Sequence, residues 1–205
     1  MSGPHRGISA TTTSTLLLEA LKDRQNDGAW RELDARYRPI LIAFAVRLGL
    51  SEADAADVAQ DTMVTVLKDY AAGRYDRGRG RLRSWLLSIL RFRIADARRI
   101  RARAKETRGE SAILDLPAEA ELEKAWDEEV RRSIVERSLA VLRSSRMSEN
   151  TVRAFEMVAL QGLTPAQAAQ ALGLTLNDVY VAKNRAIEKL RAIREELERA
   201  YESDG

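Results

Sequence analysis

Between Arg74 and Arg108 the chain sets thirteen basic side chains against three acidic ones, a local net charge of +10. Seven of these arginines, Arg83, Arg91, Arg93, Arg98, Arg99, Arg101 and Arg103, share the stretch "LRSWLLSILRFRIADARRIRARAK" with the aromatic residues Trp85 and Phe92. Basic groups interleaved with aromatic rings suit the phosphates and unstacked bases of single-stranded nucleic acid. A solvated arginine-rich helix face is the plainer account of the same charge. Trp85 fits an ordinary core position better, on an apolar stripe with Leu86, Ile89, Leu90 and Ile94. Phe92, between Arg91 and Arg93, fits core and base contact equally. Six to eight phosphate contacts would give a log–log salt slope of roughly −5 to −7.

A second group is acidic. "DAADVAQD", residues 54–61, places Asp54, Asp57 and Asp61 at intervals of three and four, hence on one helix face, with Gln60 beside them. Carboxylates grouped on a helix suit a basic groove on a partner. Asp54 also fits simple compensation of the helix dipole, but Gln60 and Asp61 lie too deep in the helix for that. A metal-dependent nuclease could use the same three carboxylates. No second acidic cluster completes such a site, and the single histidine, His5, lies in a polar N-terminal segment. The absence of cysteine excludes disulfides, thiolate metal sites and a thiol nucleophile. No catalytic residue, metal ligand or cofactor is therefore assigned, and the chain is not expected to be an enzyme.

The third group sits in "GLTPAQAAQALGLTLNDVYVAKNRAI", residues 162–187. An alanine-rich helical run stops at Gly173 and restarts at Thr175. Thr164 is an N-cap with Pro165 at the first helical position, where its missing N–H costs nothing. Gly173 suits a left-handed turn. Thr175 caps the next helix, with Asp178 three residues on as an acidic relative of the capping box. Ala168, Ala169, Leu172, Leu174 and Val179 then point inward together. The pattern is a helix-turn-helix whose second helix presents Thr175, Asn177, Tyr180, Val181, Lys183, Asn184 and Arg185 to a DNA major groove. Asn and Arg can make bidentate contacts to base edges. A helix-turn-helix also serves as plain scaffolding in other proteins.

The elements that must position these groups are all helical, since no segment alternates with a period of two. The 205 residues are 45% apolar and 5% aromatic, which fits a helical protein built on alanine and leucine. Helices are predicted on both sides of Gly28, with Gly49 as a stop and Ser51 as the N-cap of the acidic helix, where Val58, Met63, Val66 and Leu67 recur at helical spacing. A Gly/Arg loop, "GRYDRGRGR", leads to the arginine-rich helix. Residues 105–127, with Gly109 and Pro117, read as a linker; further helices are expected at 128–144, 149–161, 164–172 and 176–200. Net charge runs +8 over residues 1–108, −4 over 109–145 and −1 over 146–205. The expected organisation is a tail (1–14), a four-helix domain (15–104), the linker (105–127), a helix-turn-helix domain (128–201) and a short tail (202–205). Neither a membrane span nor the apolar core of a signal peptide is present, so a soluble cytoplasmic protein is expected.

Three motifs in order, "DAADVAQDTMVTVL" (54–67), "LRSWLLSILRFRIADARR" (82–99) and "GLTPAQAAQALGLTLNDVYVAKNRAIEKLR" (162–191), resemble the two-domain extracytoplasmic-function (ECF) sigma factors of bacteria. The resemblance spans about residues 15–197. It implies an all-α protein with a region 2 type and a region 4 type domain. It implies that Asp54, Asp57, Gln60 and Asp61 dock on the clamp coiled coil of core RNA polymerase. The helix around Trp85 and the arginines after it would melt and read the −10 promoter element, with a flipped base held by a loop at about residues 100–108. The helix-turn-helix would read the −35 element, its domain touching the polymerase flap, while the acidic linker threads towards the RNA exit path. Members are commonly held inactive by an anti-sigma factor; nothing in the residues identifies one. The chain departs from the family at Phe92, where asparagine is frequent, and at Val181 and Ala182, where a small polar residue and arginine are frequent. Ala168 and Ala171 replace larger aliphatic residues, with Met157 and Leu160 as candidates to fill the space. The alternative from another class is a stand-alone helix-turn-helix regulator with an N-terminal sensor or dimerisation domain, which needs neither the arginine block nor the acidic face.

Overall fold

A computed structural model of the protein describes residues 14–23, 25–106 and 117–202. Every regular element among them is helical: α1 (Ser14–Leu21), α2 (Asp27–Arg47), α3 (Glu52–Ala71), a single 3-10 turn (Arg77–Arg79), α4 (Leu82–Glu106), α5 (Glu119–Arg143), α6 (Glu149–Phe155) running into a π turn (Glu156–Leu160), α7 (Pro165–Leu172) and α8 (Leu176–Glu202). The chain forms two compact units. One holds the described residues up to Ser133 together with Tyr201 and Glu202; the other spans Ile134–Ala200.

In the first unit, α2 packs on α3 and α3 on α4. Leu33, Ile40, Leu41 and Phe44 of α2, Val58 and Val66 of α3, and Leu86, Leu90 and Ile94 of α4 are buried at the spacing of single helix faces. Ala55 and Ala59, also buried, let α3 approach closely. Ser51 caps α3, its side chain accepting the Asp54 N–H at 3.2 Å, and Gly49 ends the preceding segment with φ +88°. Gly28 does not separate two helices. It lies in the first turn of α2, and the cap is Asn26, whose side-chain oxygen accepts the Ala29 N–H at 3.1 Å.

Two further expectations change. α4 runs to Glu106, so residues 100–106 are helix rather than loop. The predicted linker contains helix from Glu119 onward, and the division between units falls inside α5, after Ser133, rather than at residue 127. The composition accounts for it: after Pro117 the chain reads "AEAELEKAW", almost entirely strong helix formers. Glu119 and Glu121 sit in the first turn, at the positive end of the dipole. Leu122, Ala125 and Trp126 follow at helical spacing and are buried. Pro117 and Gly109 suggested a break that the following nine residues outweigh. The remainder of the expected linker at 107–116, the N-terminal tail before Ser14 and residues 203–205 lie outside the described residues.

The second unit follows its sequence closely. Thr164 and Gln167 form a full capping box at the start of α7, with Pro165 behind the cap. Gly173 adopts the left-handed conformation, φ +65° and ψ +33°. Thr175 and Asp178 cap α8 reciprocally: the Asp178 N–H donates to Thr175 Oγ1 at 3.1 Å, and the Thr175 N–H donates to Asp178 Oδ2 at 3.2 Å. Ala154, Ala168, Ala169, Val179 and Ala182 form the buried centre, with Met157, Val158, Leu172 and Leu174 packed against it. Met157 thus fills space beside the small Ala168, whereas Leu160 stays half-exposed.

Candidate nucleic-acid and partner surfaces

The acidic edge is built by α3. Asp57, Gln60 and Asp61 are exposed on one side of the helix, while Asp54 is partly enclosed. Gln60 accepts a hydrogen bond from Arg38 at 2.7 Å, which orients it. Asp54 is held twice: Ser51 donates its hydroxyl at 2.6 Å, and Arg101 pairs with the same carboxylate oxygen at 2.6 Å. Val64 and Leu67 continue this edge and are also exposed. Leu67 shared helical spacing with the core positions, so the sequence pattern did not separate it from Val66. The true edge is a strip of carboxylates followed by apolar side chains.

Helix α4 divides the seven arginines by what they touch. Arg93 donates to Thr65 Oγ1 at 2.8 Å, Arg98 donates to the Leu48 carbonyl, and Arg101 also donates to Ser51 at 3.2 Å. These three tie α4 to α3 and to the turn before it. Arg83 pairs with Asp127 at 3.1 Å and Arg91 with Glu119 at 2.9 Å. Arg99 pairs with Asp96 one turn earlier on its own helix, and Arg103 is exposed. Phe92 is not core: it is 61% exposed, on the outer face of α4. Ile100, 69% exposed, adds a second apolar side chain that sequence reasoning missed. Its spacing from Phe92 places it on a neighbouring part of that face, a signal available only once Ile94 is known to define the buried side.

Trp85 is half-buried, and its ring lies 4.9 Å from that of Tyr75. Tyr75 stacks in turn on Tyr70 at 6.0 Å, and Trp30 meets Tyr70 edge-on at 5.9 Å. This run of four rings supports the segment between α3 and α4, where Arg74, Arg77, Arg79 and Arg81 are exposed. The Tyr70 hydroxyl donates to the Leu18 carbonyl at 2.5 Å, and burial pushes this phenol above its ordinary range. Tyr70 and Tyr75 were not singled out from the sequence, although Tyr75 lies within the Gly/Arg loop and Tyr70 three residues before it. Among the described residues, no three carboxylates or imidazoles converge closely enough to hold a metal ion.

On α8, Asn177, Tyr180, Val181, Asn184 and Arg185 are exposed and Lys183 is half-exposed. Asn177, Val181 and Asn184 follow one another at intervals of four and three, a single outward strip. Thr175 is exposed too, but its hydroxyl serves the cap with Asp178. Accepting from Thr175, first through the hydroxyl and then through the backbone, lowers the Asp178 carboxyl below its usual value. Ala182 is buried in the unit's core, so an alanine there packs rather than faces DNA.

Residues 33–104 match the sigma-70 region 2 family. The ECF RNA polymerase sigma factor RpoE of Cereibacter sphaeroides is 26% identical over 183 residues, covering 89% of this chain and 96% of that protein. Residues 33–104 thus form a sigma-70 region 2 segment, and the chain as a whole is similar to an ECF sigma factor over most of its length. Among solved structures, CnrH in complex with the cytosolic domain of CnrY is 23% identical, with a TM-score of 0.36 over 91% of this chain and 98% of that one. Rhodobacter sphaeroides SigE in complex with the anti-sigma ChrR is 20% identical, with a TM-score of 0.38 over 90% and 99%. The matched region 2 segment contains both the acidic edge of α3 and the arginine face of α4. The helix-turn-helix lies beyond it. No helix among the described residues is long and apolar enough to cross a membrane.

Proposed function

We propose that the protein binds core RNA polymerase and directs promoter-specific initiation without chemistry of its own. The acidic edge of α3, Asp54, Asp57, Gln60 and Asp61, docks on the clamp coiled coil. On α4, Arg83, Trp85, Arg91, Phe92, Arg99 and Arg103 engage the melted −10 strand, with Arg93, Arg98 and Arg101 holding the helix in place. The α8 strip, Asn177, Tyr180, Val181, Lys183, Asn184 and Arg185, reads the −35 element in duplex form, with Thr175 fixing the start of that helix. The flap is the expected second contact of the C-terminal unit, and an anti-sigma factor is an expected regulator.

The observation that carries this assignment is a division of labour inside region 2. Adjacent helices of one packed unit expose an acidic-apolar edge and a basic-aromatic face. A polymerase contact and a DNA contact need opposite charge. A stand-alone regulator needs only the helix-turn-helix.

Size-exclusion chromatography with bacterial core polymerase tests the assignment. The wild type is expected to co-elute, and Asp57→Lys/Asp61→Lys to lose co-elution while keeping its helical signal, since both side chains are exposed. If neither protein co-elutes while the wild type shifts duplex DNA alone, the protein is instead a helix-turn-helix regulator.

A further inference from the structure

Two arginines assigned above to the −10 strand already have anionic partners, both on α5. Residues 119–129, "EAELEKAWDEE", carry six acidic side chains and one basic one. Leu122, Ala125 and Trp126 seat this segment on the first unit, the Trp126 ring meeting Phe44 edge-on at 5.7 Å. Its carboxylates spread to either side of that seat: Glu119 to Arg91 at 2.9 Å, Asp127 to Arg83 at 3.1 Å and Glu128 to Arg47 at 2.6 Å. A nucleic-acid strand presents its charges in a comparable way, as a spaced row of anions beside groups that bury.

The seat is incomplete where it meets the arginines. A cavity remains between α4 and α5, lined by Ser84, Leu87, Ser88, Glu123 and Trp126 as well as the two arginines. The buried Trp126 Nε1–H has no hydrogen-bond partner among the described residues. An unpaired buried donor is a standing cost of the docked state, and the cavity forgoes contacts there. Both lower the work of moving α5 aside.

We propose that residues 119–129 are a built-in competitor for the DNA strand. They hold Arg83 and Arg91 at the positions phosphates would take, and the strand seats only as these carboxylates give way. The proposal rests on the assignment of Arg83 and Arg91 to DNA. Its consequence follows from linkage: when only a fraction of molecules has the arginines released, the apparent dissociation constant rises by the inverse of that fraction.

The test uses the full chain and fluorescence anisotropy of a labelled single-stranded DNA of mixed sequence, about 20 nucleotides long. Glu119→Gln/Asp127→Asn removes the two competing charges, one at an exposed and one at a half-buried position, and keeps side-chain shape. It is expected to bind the strand about three- to tenfold more tightly than the wild type, within the range of exposed ion pairs. Glu119→Gln alone is expected to give a smaller gain in the same direction. Glu52→Gln/Glu195→Gln removes the same charge from exposed positions outside this segment and is the control. A gain confined to the first variant supports the competitor. An equal gain in the control reduces the effect to net charge and overturns it. No gain, while Arg83→Ala/Arg91→Ala weakens binding, overturns the competitor and leaves the DNA assignment standing. No weakening in Arg83→Ala/Arg91→Ala removes the DNA assignment of these residues and the competitor with it.

Discussion

The outer face of α4 and the outer strip of α8 are both read as DNA surfaces, yet they are built on different economies of charge. On α4 most of the arginines are engaged: Arg93, Arg98 and Arg101 hold neighbouring elements, and Arg83, Arg91 and Arg99 pair with carboxylates. What stands clear there is apolar, Phe92 and Ile100. On α8 the outward residues are mostly neutral, Asn177, Tyr180, Val181 and Asn184, and Asp178 is spent on the cap. A face for a melted strand needs rings for unstacked bases and charges that can change partner. A face for an intact groove needs fixed hydrogen-bonding groups on a helix whose start cannot move.

The largest expected effect separates the two surfaces altogether. Val179 is fully buried in the second unit's core. Val179→Asp places an unpaired charge there, at a cost of about 3–5 kcal/mol. Duplex −35 recognition should vanish with the cooperative melting of that unit, while strand binding by the first unit persists. Loss of both activities would show that the surfaces do not act independently.

Single side chains give the next scale. Phe92→Ala should leave thermal stability nearly unchanged, within about 0.5 kcal/mol as for other exposed positions. It should nevertheless weaken strand binding by about 1–3 kcal/mol, the range for one aromatic–base contact. Asn184→Ala should cost about 1–3 kcal/mol on a matched −35 site and little on a mutated one. Calorimetry and anisotropy on the same samples separate the two. A large drop in melting temperature for Phe92→Ala would mean that the ring packs rather than reads.

Salt dependence sharpens the comparison further. If Arg93, Arg98 and Arg101 stay with their protein partners, about four arginines of α4 remain for phosphates. The log–log slope for single-stranded DNA is then about −3, shallower than a count of every arginine suggests. Anisotropy between low and moderate salt reads it directly. A slope as steep as about −5 would mean that the tethering arginines leave their partners when the strand binds.

The second unit was the more legible because its instructions are local. Thr164–Pro165, Gly173 and Thr175–Asp178 each specify a cap or turn within three residues, and each is found as specified. The α4 face depends on long-range choices. Periodicity located Leu86, Leu90 and Ile94 inside, but not that Phe92 would be out, nor that Arg93 would turn to Thr65 and Arg101 to Asp54. Those partners sit on another helix, and their approach is set by packing. The misassigned linker has the same origin. Pro117 and Gly109 are strong local signals, whereas the seat for Leu122 and Trp126 exists only once α2 and α4 have folded.

The smallest effect concerns what fixes the start of α8. Asp178 accepts from Thr175 in the folded protein, which lowers its carboxyl below the ordinary value of 3.8. The folded state therefore takes up this proton less readily than the unfolded chain. The cap's contribution is complete above the unfolded value, about 4, and is lost as pH falls through the lower folded value. The Thr175 amide, which donates to Asp178 Oδ2, reports the event, because protonation weakens that bond. Its NMR shift should titrate with a midpoint below 3.8 in the wild type and stay flat in Asp178→Asn, which keeps an acceptor but no titrating group. Glu128, lowered by its bond to Arg47, should follow the same sign in the first unit. There acidification loosens a contact between helices, whereas at Thr175 it loosens only the first turn of one. A Thr175 amide that titrates equally in both proteins would place the proton elsewhere and remove Asp178 as the group that holds α8 at its start.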